Sequence, residues 1–275
     1  MNGPQGPFLI LRIFLANRPL ILISNDDGIT APGIAALEDA LSSEAEVVVV
    51  APDRERSGTG QAITLSEPLR IKEYKKNWYS ISGTPADCIL VATKKILDRK
   101  PDWIVSGINR GANIGQDTLY SGTVAAAMEG CLSGIKSIAI SLVLKKGQVE
   151  DYSGCQKVIK HLINDPEIPA ILEGALLNVN VPNVRYEDLV SYAVADLGWR
   201  IYDERLIERK DPRGGNYYWI GGGGVKSKAI PGSDCELISE NKVTLTILQP
   251  NHVNHEANAI VEKCSLSSLN KLIGE

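Results

Sequence analysis

Leu20-Ile21-Leu22-Ile23-Ser24-Asn25-Asp26-Asp27-Gly28 is the stretch from which the fold can be read. An apolar run that ends in two carboxylates and a glycine is what a strand buried on both faces looks like as it leaves the sheet for a polar loop. Its natural host is a parallel sheet covered by helices on either side. Pro32 then suits a first helical turn, and Ile34, Leu37 and Leu41 follow at helical spacing, so a helix is predicted over 33–42. Val47-Val48-Val49-Val50-Ala51 repeats the strand signal and empties into Pro52-Asp53-Arg54-Glu55-Arg56-Ser57-Gly58, a loop of turn formers. Two such strands with a helix between them imply a βαβ unit.

The alternation continues. Ile63-Thr64-Leu65, Leu69-Arg70-Ile71 and Trp78-Tyr79-Ser80-Ile81 read as antiparallel strands decorating the sheet edge. A helix is predicted over 85–95, a strand over 103–107 emptying into a polar loop at 108–115, a helix over 123–132 and a strand over 137–142. Through about residue 182 this is the pattern of an open α/β sheet. Beyond it, Asp211-Pro212-Arg213-Gly214-Gly215, Tyr217-Tyr218-Trp219-Ile220 and four glycines at 221–224 read as hairpins and loops. A strand is predicted over 243–248 and a last helix near 257–272. The chain is thus read as an extension, 1–19, ahead of one domain, 20–275, with its core in 20–182 and a hairpin and C-terminal region in 183–275.

A chain of 275 residues can bury a large core without covalent staples. A net charge of −4 with interspersed signs offers no footprint for a nucleic-acid duplex. Five scattered cysteines, none in a C-x-x-C pair, read as reduced thiols in a cytosol and not as a zinc site. The apolar run 8–15, broken by Arg12, is too short to span a bilayer, and Ala16-Asn17-Arg18 is a poor cleavage site for export.

In an open α/β sheet, ligands sit beyond the carboxyl ends of the strands. Three such loops carry hard oxygen donors: Asp26 with Asp27, then Ser57, then Asn109 with Asn113. Adjacent carboxylates raise one another's pKa unless a cation lies beside them. Two carboxylates, a hydroxyl and an amide oxygen suit Mg²⁺ or Mn²⁺ and not zinc. The competing reading of Asn25-Asp26-Asp27-Gly28 is a turn with side-chain caps. Tyr120-Ser121-Gly122-Thr123 stands before a helix of small residues, so free amides and two outward hydroxyls would form an anion pocket, or Ser121 would be an N-cap and nothing more. Ser82-Gly83-Thr84 before Pro85 is read as a plain cap. The segment 109–115 is neither G-x-G-x-x-G nor a P-loop, and His161, His252 and His255 all lie outside the strand-end loops.

Together these segments resemble the stationary-phase survival protein SurE family of metal-dependent nucleotidases. The resemblance rests on Ser24-Asn25-Asp26-Asp27-Gly28 with Ala31-Pro32-Gly33, Ala51-Pro52-Asp53-Arg54 leading to Ser57-Gly58, and Gly83-Thr84-Pro85-Ala86-Asp87-Cys88. It continues through Ser106-Gly107-Ile108-Asn109 and 120–130, and extends to Asn178-Val179-Asn180-Val181-Pro182 and Asp211-Pro212-Arg213-Gly214. It implies a Rossmann-like three-layer αβα sandwich and hydrolysis of nucleoside monophosphates. It also implies one divalent cation per subunit on Asp26, Asp27, Ser57 and Asn109, and a phosphate pocket of Asn113, Ser121, Gly122 and Thr123. A homodimer or homotetramer built by exchange of the C-terminal hairpin and tail is implied as well, with 217–220 suited to the exchanged arm. Asp26 is the candidate to orient water or accept its proton, with Asn113, Ser121 and Thr123 steadying the reacting phosphoryl group. Two alternatives stand beside this: a phospho-aspartate route, disfavoured because the aspartates are adjacent, and a receiver-like regulatory module that binds Mg²⁺ without hydrolysis.

Overall fold

The computed structural model describes residues 18–203, 205–221 and 224–251. Its strands are β1 (Leu20–Ser24), β2 (Glu46–Pro52), β3 (Ile71–Lys75), β4 (Trp78–Ile81), β5 (Trp103–Arg110), β6 (Lys136–Val143), β7 (Leu176–Pro182), β8 (Tyr192–Val194), β9 (Arg200–Tyr202), β10 (Leu206–Lys210), β11 (Asn216–Ile220), β12 (Val225–Ser227) and β13 (Val243–Leu248). The helices are α1 (Pro32–Leu41), α2 (Pro85–Val91), α3 (Gly122–Leu132), α4 (Ser153–Asn164), the single turn α5 (Ile168–Ile171) and α6 (Asp234–Ser239).

Nine strands form one sheet in the order β3-β4-β2-β1-β5-β6-β7-β13-β8. The run from β4 to β7 is parallel, β3 and β13 join antiparallel to their inner neighbours, and β8 lies parallel to β13. Alternate residues serve opposite faces. Ile21, Ile23, Val47, Val49 and Val105 pack with Ile34 and Leu37 of α1 and with Val158 and Leu162 of α4. Leu20, Leu22, Val48, Val50 and Ile104 pack with Ile89 of α2 and Ala126 of α3. The central strands are apolar throughout because both faces are covered, and the result is the expected α/β sandwich with a mostly parallel sheet. Among the described residues no helix is long and apolar enough to cross a membrane.

Several boundaries differ from the sequence reading, each for a local reason. Residues 63–65 form no strand: Ile63 and Leu65 are exposed while Thr64 between them donates to Asp87, so the alternation reflects one anchored side chain and not a pleat. β3 starts at Ile71 because the Arg70 amide is taken by the Ser82 hydroxyl. The helix begun at Pro85 changes to a π-turn over Ala92–Ile96. β5 runs on to Arg110, with its register against β6 shifting between Ser106 and Asn109, so Asn109 lies in a strand, next to its last residue, and does not sit in the expected loop. β13 lies inside the main sheet, whereas β10 with β11 and β9 with β12 form two separate ribbons. The helix predicted near 257–272, with His252, His255 and Cys264, falls outside the described residues, as does the run 8–15.

Gly33 in the first turn of α1 shows how closely the layers approach: a Cβ there would stand 2.1 Å from the Ile108 carbonyl oxygen. Alanine gains about 1 kcal/mol in helix propensity, but separating a helix from a strand backbone costs about 1–3 kcal/mol. Gly33→Ala is therefore expected to lower the midpoint of urea unfolding, and a raised midpoint would show that α1 docks more loosely.

Candidate functional site

The turn after β1 is closed by Asn25, whose buried side chain donates to the Gly28 carbonyl at 3.0 Å and accepts from the Gly28 amide at 3.2 Å. The capped-turn reading thus holds for Asn25, and it leaves the carboxylates of Asp26 and Asp27 free for other work. Two main-chain bonds stitch this turn to the loop after β2: Ile29 N–H to Pro52 O at 2.9 Å, and Arg56 N–H to Asp26 O at 2.7 Å. Ser57 is consequently one residue from a direct bond to Asp26. Its hydroxyl is exposed and donates to Glu55 Oε1 at 3.0 Å.

Asp26 is buried, and its Oδ1 accepts a short hydrogen bond from the Thr123 hydroxyl. Burial pushes its pKa up, while hydrogen bonds from Thr123, its own amide and the amides of Thr123 and Gly122 pull the other way. Gly122 is glycine for want of room: a Cβ would stand 2.7 Å from Asp26 Cβ and 3.1 Å from Asp26 Oδ2. The acidic pair and the N-terminus of α3 therefore share a wall. The sequence reading of outward hydroxyls is corrected here, since Thr123 is fully buried and turned onto Asp26, and Ser121 is buried with its Oγ accepting from Val124 N–H at 3.1 Å as the N-cap.

Asp27 is half-buried and accepts from the Arg110 amide at 3.1 Å. Burial, and next the Asp26 carboxylate, push its pKa up to about 6. Asn109, the neighbour of Arg110, commits its Nδ2 to the Gly111 carbonyl at 2.8 Å, so Oδ1 is its remaining acceptor. Two crowded carboxylates whose proton affinity is raised by burial are a site short of positive charge, and a dication supplies it. Among the described residues no group of three or more His, Cys, Asp or Glu side chains has metal-holding geometry. A cation here would thus combine the acidic pair with neutral oxygens, and that chemistry fits Mg²⁺ or Mn²⁺.

Asn113 is held on every side. Its amide donates to Asn180 Oδ1 at 2.8 Å, its carbonyl accepts from Asn178 and Asn180 at 2.8 and 3.0 Å, and its Nδ2 donates to Ser141 Oγ at 2.9 Å. One Nδ2 hydrogen is left for a ligand. These three partners, all fully buried on β6 and β7, are supporting residues to which the sequence reading gave no role at the site. Their signal was a polar residue at alternate positions of an otherwise apolar strand.

A second missed group is Asp87, fully buried in α2. Its carboxylate accepts from Thr64 N–H and Oγ1 at 3.1 and 2.6 Å and from Thr84 N–H at 2.8 Å, pinning the far end of the loop that carries Ser57. The T-x-x-D spacing of its capping box with Thr84 was visible and was read only as a cap. Gly60 N–H reaches Tyr120 O at 3.0 Å and closes the ring between this loop and the turn before α3. Of the predicted residues, Asp26, Asp27, Asn109, Ser121, Gly122 and Thr123 meet through direct bonds or bonded neighbours, Asn113 is anchored alongside, and Ser57 lies on the adjoining loop with its hydroxyl turned to Glu55.

Known proteins resemble this chain over most of its length. The family model described as Survival protein SurE matches residues 21–204. The 5'-nucleotidase SurE of Vibrio parahaemolyticus is 46% identical over 245 residues, 88% of this chain and 93% of that protein. The protein of the same name from a Synechococcus strain is 41% identical over 256 residues, 90% of this chain and 98% of its own. The crystal structure of the SurE protein from Aquifex aeolicus superposes with a TM-score of 0.73 at 38% identity, covering 92% of this chain and all of that one. With two thirds of its length matched by the family model and the acidic pair, the Asn109 strand end and the α3 turn all inside that match, this chain belongs to the SurE family.

Proposed function

We propose that this chain is a metal-dependent phosphomonoesterase that hydrolyses nucleoside monophosphates to nucleoside and inorganic phosphate, as a 5'-nucleotidase. The observation that carries the reading is the contact between Asp26 and Thr123, which sets a cation-seeking acidic pair against a helix N-terminus suited to anions. Its relatives named 5'-nucleotidase point the same way. The receiver-like alternative is not favoured, because a module that only holds Mg²⁺ has no use for the clasped Asn113 or the α3 turn.

Asp26, Asp27, Ser57 and Asn109 would hold one Mg²⁺ or Mn²⁺ ion. When bound, that ion supplies Lewis acidity towards a phosphoryl oxygen and makes water more acidic. Asp26 orients the attacking water and takes its proton at Oδ2, the oxygen left free by Thr123. Asn113 Nδ2 and the Ser121 hydroxyl face the charge that develops on the phosphoryl oxygens, while the Thr123 hydroxyl and the Gly122 amide, committed to Asp26, hold that carboxylate in place. Ser57 must turn from Glu55 to join the set. Asp27 shares the charge and keeps β5 in place through the Arg110 amide. In this reading residues 20–275 act as one domain with 1–19 outside it, in the cytosol, where the four described cysteines remain thiols. A homodimer or homotetramer forms through the C-terminal region, with Tyr217, Tyr218, Trp219 and Ile220 exposed on β11 as the surface for exchange.

Inorganic phosphate released from a nucleoside 5'-monophosphate should vanish on exhaustive chelation and return with Mg²⁺ or Mn²⁺, and undiminished turnover in the stripped protein would exclude the mechanism. Asp26→Asn keeps the acceptor for Thr123 but removes the buried charge. It should cut kcat by about 10²–10⁴-fold while the unfolding midpoint in metal-free buffer stays level or rises. Near-normal turnover, or a collapse in stability without cation, would remove Asp26 from its assigned role.

A further inference from the structure

Three successive residues ahead of the α3 turn, Gly115, Gln116 and Asp117, are each gripped from the chain beyond residue 195. Gly115 N–H donates to Asp234 Oδ2 at 2.8 Å, and the other oxygen of the same carboxylate accepts from Gly198 N–H at 2.8 Å. Asp234 has no exposed surface. Gln116 lays its amide along the Arg200 backbone, donating to the carbonyl at 2.5 Å and accepting from the N–H at 2.8 Å. Asp117 receives both the Arg200 guanidinium and the Tyr202 hydroxyl. The segments meet backbone to backbone: a Cβ on Gly115 would stand 2.8 Å from Gly198 O, and one on Gly198 would stand 2.5 Å from Cys235 Sγ.

This grip reaches the site through a single turn. The Asp117 carbonyl accepts from Ser121 N–H at 3.1 Å and Tyr120 N–H at 3.0 Å, and Ser121 is the N-cap of α3. We propose that Asp234 is a positioning residue for the phosphate-binding turn, acting through Gly115 and the 3₁₀ turn 115–119, with Gln116 as its second point of attachment. The proposal rests on the reading of the α3 N-terminus as the phosphate site. Two convergent N–H donors need an acceptor at both ends, which a carboxylate offers and an amide does not: Asn would set its NH₂ against one of them.

The experiment uses the full chain with AMP as substrate, inorganic phosphate as inhibitor and Mn²⁺ as activator. Chelator-sensitive release of phosphate by the unsubstituted protein tests the underlying reading first, and its absence defeats that reading and this proposal with it. Given that activity, Asp234→Asn and Gln116→Ala should each raise KM for AMP and Ki for phosphate about tenfold or more, with the Mn²⁺ concentration for half-maximal rate moving less than about twofold. A merely structural role would lower the unfolding midpoint and leave both constants alone below it. Unchanged KM and Ki, or a Mn²⁺ requirement that shifts in parallel, overturns the assignment. Gln116 is only half-buried, so its substitution decides the matter even if Asp234→Asn fails to fold.

Discussion

Thr123, fully buried, donates its hydroxyl to the buried Asp26 carboxylate. An unpaired carboxylate in such a place is costly, and neutral donors relieve only part of that cost. The bond nevertheless ties the end of β1 to the start of α3, two elements separated by nearly a hundred residues. Everything else at the site is arranged around this join. Gly122 is bare because Asp26 lies against it, the Asp27 pKa is raised by burial and then by its neighbour's charge, and the loop after β2 is hung from the Asp26 carbonyl.

Buried carboxylates recur as the fixings of the surrounding loops. Asp87 holds Thr64 and Thr84, and Asp234 holds Gly115 and Gly198, each with backbone N–H groups as partners. An ionised carboxylate accepts several hydrogen bonds at once and donates none, so it can close two loops that present only donors. Asn178 and Asn180 do the same for Asn113 with amides, which both donate and accept. The site is thus rigid where it meets the sheet, and its one loosely held member is Ser57.

The central architecture was legible because it is local. Valine and isoleucine runs named β1, β2, β5 and β6 without reference to any partner, and Pro32 and Ser121 marked the starts of α1 and α3. The acidic pair was equally plain, since two carboxylates at a strand end demand an explanation. What stayed hidden depends on distant neighbours. Alternation in 243–248 identified a strand but not its place beside β7, because pairing is set by which edge is vacant. Alternation at 63–65 misled, because a single bond from Thr64 to Asp87 imitates a pleat. Asp87 and Asp234 bind amides 23 and 119 residues away, and no local pattern reports that.

The central claim is that the acidic pair at the end of β1 is a cation site facing the N-terminus of α3. Anomalous diffraction from a crystal soaked in Mn²⁺ tests it most directly. The account predicts one strong peak between the Asp26 and Asp27 carboxylates, with Asn109 Oδ1 and a rotated Ser57 Oγ completing the protein ligands. A peak elsewhere, or none at saturating Mn²⁺, would contradict it.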